Sequence, residues 1–244
     1  MSSVPKKPFE VFISYGGVSP SGQKVTIAFE ELKAAYPNLS KELDYSVHTL
    51  NFQVKEQKSD WYLKINPNGR IPALIHTRPD GSSINVFESA GIIQYLFERF
   101  DTEHKFTFPQ FSDDAAHSNS WIYWAHAGIS PTLSQAIHFR YLGEKIPYAI
   151  SRYVQEMKRL YAVLDTQLEG RDYLVGPGKG VYSTAEINIW SWTQGFHWAG
   201  LTKAEIETDF PNLDAWITRI AQRPQVLAES KLGGRKSKFE THCV

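Results

Sequence analysis

Cysteine is nearly missing from this chain: its 244 residues hold one, Cys243. A lone thiol excludes an intrachain disulfide framework, and a reducing, cytoplasmic compartment is the simple expectation. Standing second from the end, Cys243 does not form a prenylation box either. Excess charge is missing as well, since 26 Lys and Arg balance 26 Asp and Glu. That balance, with no basic stripe, leaves no field for a nucleic-acid partner. No apolar run approaches the roughly 20 residues that a membrane span needs. The opening residues, Met1 to Lys7, are polar and lack an apolar core, so no secretory signal is expected. Internal repeats and low-complexity tracts are absent too.

What remains is a chain for one or two packed domains, 42% hydrophobic and rich in aromatics at 14%. Its organising stretch is Asn66-Pro67-Asn68-Gly69-Arg70-Ile71-Pro72-Ala73-Leu74-Ile75, a polar turn and then a proline entering a short apolar strand. Proline cannot donate to a strand ladder. Either this is an edge strand with a trans proline, or the Ile71–Pro72 bond is cis, the isomer that X–Pro bonds tolerate. The cis form would turn the Ile71 backbone outward, toward a ligand. A turn signal at Arg78-Pro79-Asp80-Gly81 leads to a second strand, Ile84 to Phe87. Glu88-Ser89 then opens an amphipathic helix bearing Ile92, Ile93, Leu96, Phe97 and Phe100 on one face.

Upstream, Phe9 to Ser14 alternates as a strand. A Gly- and Ser-rich loop precedes a helix carrying Val25, Ala28, Phe29 and Leu32, with Ser21 suited to its N-cap. A strand through Tyr45 and Val47 follows, then a polar segment with Gln57 and Trp61-Tyr62. The order β-α-β-(α)-β-β-α predicts an α/β, thioredoxin-like N-terminal domain. Nearly everything beyond residues 101–112 reads as helix, with Gly128 and Pro131 as an interruption. Ser183-Thr184-Ala185-Glu186 is a capping box. The expected division is 1–104 for the thioredoxin-like domain, 112–235 for the all-helical domain and 236–244 for a polar tail.

Six motifs in the right order carry a resemblance to the cytosolic glutathione transferases. They are Ser19-Pro20-Ser21-Gly22-Gln23-Lys24-Val25, the Asn66 to Leu74 proline turn, Phe87-Glu88-Ser89-Ala90-Gly91-Ile92, Gln135 to Tyr141, Ile146 to Tyr153, and the capping box with Phe210-Pro211-Asn212-Leu213. The resemblance covers nearly the whole chain and is strongest to the bacterial nu class and the fungal group related to the yeast nitrogen regulator. It implies glutathione as substrate, with no metal, and a homodimer. Glu88 pairs with the γ-glutamyl amine, and Ser89, at a helix start, suits the carboxylate beside it. Arg70, Ile71 and Pro72 flank the cysteinyl unit, which Ile71 holds by strand-like backbone bonds. By resemblance Gln57 approaches the glycine end, and Arg152 reaches the tripeptide from the helical domain.

The thiol must ionise to react. Lowering a thiol from near 8.5 by about two units requires roughly 2.7 kcal/mol. A helix N-terminus contributes about 0.3–1 kcal/mol, and one hydrogen bond to a charged group roughly 1.5–3. A hydroxyl donor is therefore needed, and Ser21 and Ser19 are the candidates, with Ser14 and Tyr15 behind them. Relatives carry Asn where this chain has Ser21, so which serine acts stays open. Trp124, His126, His138 and Tyr141 are candidates to line an acceptor site between the domains. The expected reactions are conjugation of a small hydrophobic electrophile or reduction of a small disulfide. A protein thiol near the loop is lacking, which argues against attack by the protein's own sulfur. The alternative is a non-catalytic regulator or hydrophobic-ligand carrier on the same fold. The regulator role has less support, because its Asn/Gln-rich N-terminal tail has no counterpart here.

Overall fold

The structure, a computed structural model, describes residues 7–14 and 19–229. Tyr15, Cys243 and the expected tail at 236–244 lie outside the described residues. The chain divides into two compact units, the first running to Glu103 and rejoined from Pro224 onward, the second spanning His104–Arg223.

In the first unit the elements follow the expected order: β1 (Phe9–Ser14), α1 (Pro20–Ala35), β2 (Tyr45–Leu50), the one-turn α2 (Asp60–Leu63), β3 (Ala73–Thr77), β4 (Ser83–Phe87) and α3 (Ser89–Phe100). They build a four-stranded mixed sheet in the order β2-β1-β3-β4. β1 and β2 are parallel, while β3 runs antiparallel to both β1 and β4. This is the thioredoxin-like arrangement. Phe9, Val11, Val25, Ala28, Phe29, Leu32, Ile92 and Leu96 are buried between the sheet and its helices. Phe9 meets Phe29 edge-on at 5.1 Å, where the helix crosses the strand.

The second unit is all helical: α4 (Asp113–Ala127), α5 (Ile129–Tyr141), α6 (Pro147–Gln167), α7 (Thr184–Thr193), α8 (Phe196–Ala199), α9 (Lys203–Asp209) and α10 (Pro211–Ala221). α7 is buried over most of its length, so its apolar residues show no single face and its periodicity is uninformative. Trp190 donates to the Ile217 carbonyl at 3.0 Å and Tyr161 to the Thr193 carbonyl at 3.1 Å, satisfying the polar tips of two buried aromatics. The capping box is present: Glu186 accepts from the Ser183 N–H at 3.0 Å, and the Ser183 hydroxyl accepts from Ala185 at 3.2 Å.

Three expectations need adjustment. Pro131 does not interrupt the helix; it occupies the first turn of α5, where its missing N–H would have had no helical partner. The short helices α8 and α9 went unforeseen, although Thr202 caps α9 with Glu205 in a second capping box. The last helix, α11 (Pro224–Glu229), packs against α1 and so groups with the first unit, where the sequence reading had put it within 112–235.

Candidate functional site

The strand register gathers the candidate residues of the first unit at one end of its sheet. Ser14, the last residue of β1, pairs with Leu50, the last of β2. Phe12 of β1 pairs with Ala73, the first residue of β3, so Ile71 and Pro72 come in beside the end of β1. Ala73 in turn pairs with Phe87, the last residue of β4, which delivers Glu88 and Ser89 to the same end. α1 and α3 both start there, with their N–H groups unpaired by the helices themselves.

The α1 start corrects one expectation: the N-cap is Ser19, not Ser21. Pro20 takes the first helical position, where its fixed φ is already helical. The Ser19 hydroxyl accepts from the Gly22 N–H at 3.4 Å, a long bond that occupies a lone pair and leaves the hydroxyl hydrogen as a donor. Ser21 lies within the first turn, half-buried. Gly22 is closely packed, since a Cβ there would stand 3.0 Å from the Ile13 side chain, which would have to give by a few tenths of an ångström.

The proline turn is held from beneath. Asn66 is buried, accepts from the Asn68 N–H at 3.0 Å and donates to the Arg70 carbonyl at 2.8 Å. The Tyr62 hydroxyl donates to the same carbonyl at 2.7 Å. Burial pushes the Tyr62 phenol well above its usual range, so it remains a donor at any working pH. Gly69 sits at φ 59°, and a Cβ on it would meet the Gln57 carbonyl at 2.8 Å. The Gln57 turn is thus docked on the proline turn, and Lys58 reinforces the contact by donating to the Asn68 carbonyl at 3.0 Å. The Gln57 side-chain oxygen is buried without a hydrogen-bond donor.

Ile71 is half-buried against the cluster of Phe12, Leu50, Tyr62 and Ala73, and the Ile71–Pro72 peptide is cis. Among the described residues no hydrogen bond engages the Ile71 backbone. Arg70 is exposed and Pro72 buried. Glu88 caps α3 with φ 64° and ψ 121°, a backbone region that non-glycine residues avoid. Its side chain makes no capping bond and is exposed, while Ser89 is buried at the first helical position.

Lys24, inside the Ser19–Val25 motif, has no role that follows from the sequence. It is fully buried, and desolvation lowers its ammonium to about 7 against the opposing pull of Glu88. The signal was its place in the helix-start motif, at a position where lysine is a poor choice for an interior.

The remaining candidates are carried by the second unit. Trp124 and His126 lie half-buried on α4, with Trp124 edge-on to Trp121 at 5.2 Å. His138 and Tyr141 are exposed at the end of α5, with His138 against Phe139 at 5.0 Å. Arg152 is exposed on α6. A cavity of about 680 Å³ in the first unit, lined by His76, Arg78 and Arg99 among others, lies at the opposite end of the sheet and includes none of the predicted residues. Among the described residues no group of three or more His, Cys, Asp or Glu could hold a metal, and no helix is long and apolar enough to cross a membrane.

Residues 17–104 match the family model of the glutathione S-transferase N-terminal domain, and residues 132–224 match that of the C-terminal domain. The chain is 33% identical to the disulfide-bond oxidoreductase YfcG of Escherichia coli, over 91% of this chain and 97% of that protein. It is 32% identical to the glutathione S-transferase-like protein gedE of Aspergillus terreus, over 87% and 91% respectively. Among solved structures it is similar to the glutathione transferase URE2P6 of Phanerochaete chrysosporium in complex with oxidized glutathione. That match has a TM-score of 0.80 and 34% identity, covering 91% of this chain and 94% of the other.

Proposed function

The chain belongs to the glutathione S-transferase family, and from that premise we propose that it binds glutathione at the α1–β3–α3 end of its sheet and uses the thiolate on small disulfides and electrophiles. The observation that carries this reading is the unengaged Ile71 backbone, set beside two helix starts and an exposed carboxylate. Those groups complement a tripeptide that carries an amine, two carboxylates and a thiol. Glu88 takes the amine, Ser89 and its N–H the neighbouring carboxylate, and the Ile71 amide the cysteinyl backbone. Arg70 and Pro72 frame that strand, and the unpartnered Gln57 oxygen takes an N–H near the glycine end. Arg152 supplies a cation toward the peptide.

The sulfur is placed at the start of α1. Ser19 or Ser21 donates to it, and the helix end adds its field; together these supply the roughly 2.7 kcal/mol that two units of thiol acidification require. In disulfide reduction the glutathione thiolate attacks one sulfur, forming a mixed disulfide and expelling a thiolate that takes a proton from water. A second glutathione then attacks the mixed disulfide at the glutathione sulfur, giving oxidized glutathione and a second thiol. No cysteine of the protein enters the cycle, which suits a chain whose lone cysteine is remote in sequence from the site motifs. The disulfide-bond oxidoreductase among its relatives and the oxidized glutathione in its structural neighbour favour this reaction over conjugation. Trp124, His126, His138 and Tyr141 are assigned to the second substrate, and a cytoplasmic homodimer is the proposed working form.

Calorimetric titration with glutathione tests the binding step, and parallel assays with hydroxyethyl disulfide and a chloronitrobenzene test the reaction. Saturable glutathione binding with faster turnover of the disulfide is expected. No binding at millimolar glutathione would overturn the reading.

A further inference from the structure

The glutathione reading makes no use of the far end of the same sheet. β3 runs from Ala73, beside the proposed glutathione groups, to Thr77, and α3 runs from Ser89 to Phe100. At about 3.3 Å per strand residue and 1.5 Å per helical residue, these elements span roughly 13 and 16 Å. At the Thr77 and Phe100 end lies the cavity of about 680 Å³, lined by His76, Arg78 and Arg99. These three side chains form a connected group. The His76 Nδ1 lies 2.8 Å from the Tyr95 hydroxyl, and the Arg99 guanidinium lies over the Tyr95 ring, 4.7 Å from its centre. Arg78 follows His76 by two residues, the spacing that keeps side chains on one side of an extended chain.

The polar capacity of this group is largely unspent. Among the described residues neither guanidinium forms an ion pair. Arg99 makes no hydrogen bond among them, and Arg78 gives one N–H to the Ser82 hydroxyl at 2.9 Å. Asp80, close to Arg78 in the chain, accepts from the Ser82 N–H at 2.8 Å and from its hydroxyl at 2.6 Å. His76 is only 7% exposed and stacks on Phe9 at 4.1 Å, yet its Nε2 has no hydrogen bond among the described residues. With the Tyr95 O–H donating to Nδ1, the neutral ring carries its proton on Nε2, a further free donor on the cavity wall. Lys7, also on the wall, is engaged by Asp44 at 3.2 Å and by the Tyr45 carbonyl at 3.0 Å. The wall carboxylates Glu42 and Glu98 are exposed, where water and salt screen them, and Glu98 already accepts from Gln94 at 2.7 Å. Burial, with the fields of Arg99 and Arg78, holds His76 below the usual imidazole range, so positive charge prevails around its ring.

We propose that this cavity is a binding site of its own, for a small organic phosphate monoester whose head is held by Arg78, Arg99 and the His76 Nε2–H. Two guanidiniums without carboxylates call for two negative charges, and a phosphate monoester carries about 1.5 to 2 of them on one group at pH 7. Its oxygens also match the planar fork of each guanidinium, which a carboxylate can offer to only one. A bare phosphate would leave most of the volume empty, whereas about 680 Å³ falls within the roughly 300–1,000 Å³ of small-molecule sites. The body of the ligand is assigned to Pro8, Pro79 and Phe100 on the same walls. The site stands whether or not the other end of the sheet takes glutathione.

The probe is phenyl phosphate, titrated calorimetrically into the full chain at about pH 7.5, where the monoester is a dianion. Saturable binding of one molecule per chain is expected, with a Kd below about 1 mM. Saturating S-methylglutathione, an unreactive form of the tripeptide, should not displace it. Benzoate, with one charge on the same ring, should bind at least about tenfold more weakly, and inorganic phosphate, with no body to bury, should also bind more weakly. R78Q and R99Q each remove a charge-assisted pair and should weaken phenyl phosphate about ten- to a hundredfold, with glutathione titrations unchanged. R99K keeps the charge without the fork and should fall between wild type and R99Q. No saturable binding, displacement by S-methylglutathione, or unweakened binding in both R78Q and R99Q would overturn the proposal. Benzoate or inorganic phosphate binding as tightly as phenyl phosphate would overturn the assignment to a monoester. Arg99 is exposed and Arg78 half-buried, so thermal melting should show both variants folded. If one is not, the other variant and the wild-type competition still decide.

Discussion

The Tyr62 hydroxyl and the Asn66 amide hold one carbonyl, that of Arg70, at 2.7 and 2.8 Å. This carbonyl belongs to the peptide leading into Ile71, so two buried side chains fix the orientation of the backbone proposed to meet the ligand. Y62F removes one donor and leaves the other. Loss of one neutral hydrogen bond should cost about 1 kcal/mol of stability. Glutathione affinity should fall by about three- to tenfold through looser placement of Ile71, with N66A worse because it also frees the Asn68 amide. Chemical denaturation and calorimetric titration of the two variants check this. Unchanged affinity in Y62F would show that Asn66 alone fixes the peptide.

Much of this arrangement was legible in the sequence, because the signals there are local. The Pro72 strand, the Glu88-Ser89 helix start and the Ser183 capping box each announce themselves within four residues. The N-cap was misplaced by two, because Ser19 and Ser21 flank a proline and both suit the position; the fixed φ of Pro20 favours the serine before it. Tyr62 and Lys24 could not be read as they are. Both are buried, and burial depends on packing across the fold, in which Tyr62 also reaches a carbonyl eight residues on. The α9 helix was missed for a different reason: seven residues give too little periodicity to register, although its cap was in plain view.

The two serines of the α1 start separate by what each loses. S19A removes the cap and should cost about 1 kcal/mol of stability. S21A removes a hydroxyl that does not cap the helix. Whichever serine donates to the sulfur, its alanine variant should raise the pKa of bound glutathione by about one to two units, as loss of a bond to a charged group requires. Thiolate ultraviolet absorbance against pH reads this directly, and turnover near neutral pH should fall by about ten- to a hundredfold in the same variant. A bound thiol that titrates unchanged in both variants would remove serine from the mechanism.

Glu205 gives the second unit an acid-sensitive bond. It accepts from the Thr202 N–H at 2.8 Å, from the Thr202 hydroxyl at 3.0 Å and from Lys158 at 3.0 Å, and these hold its carboxyl down at about 2. A depressed folded-state value stabilises the fold above the unfolded value, near 4.3, and that contribution is lost as pH falls through about 2. The side chain is 38% exposed, so solvent and salt screen the effect. Wild type should be more stable than E205Q at pH 6, and the two should converge between about pH 4 and pH 2. Denaturation midpoints measured across that range check the sign. A gap that widens in acid would contradict it.

Glu88 sets stability against binding at one residue. Its φ of 64° with ψ 121° is unfavourable for any side chain, at about 1–3 kcal/mol. Glycine, lacking a Cβ, adopts that conformation at a lower steric cost but loses about 0.5–1 kcal/mol more entropy on folding. E88G should therefore fold at least as stably as wild type, by up to about 2 kcal/mol. On the proposed reading its affinity for glutathione should nevertheless drop by about ten- to a hundredfold, because the carboxylate assigned to the amine is gone. E88Q keeps the strained backbone and loses only the charge, so it should match the binding defect without the gain in stability. Denaturation and titration of the pair separate the two effects. A residue kept at a steric cost for its carboxylate must show both, and E88G less stable than E88Q would mean that the side chain, not the ligand, repays the strain.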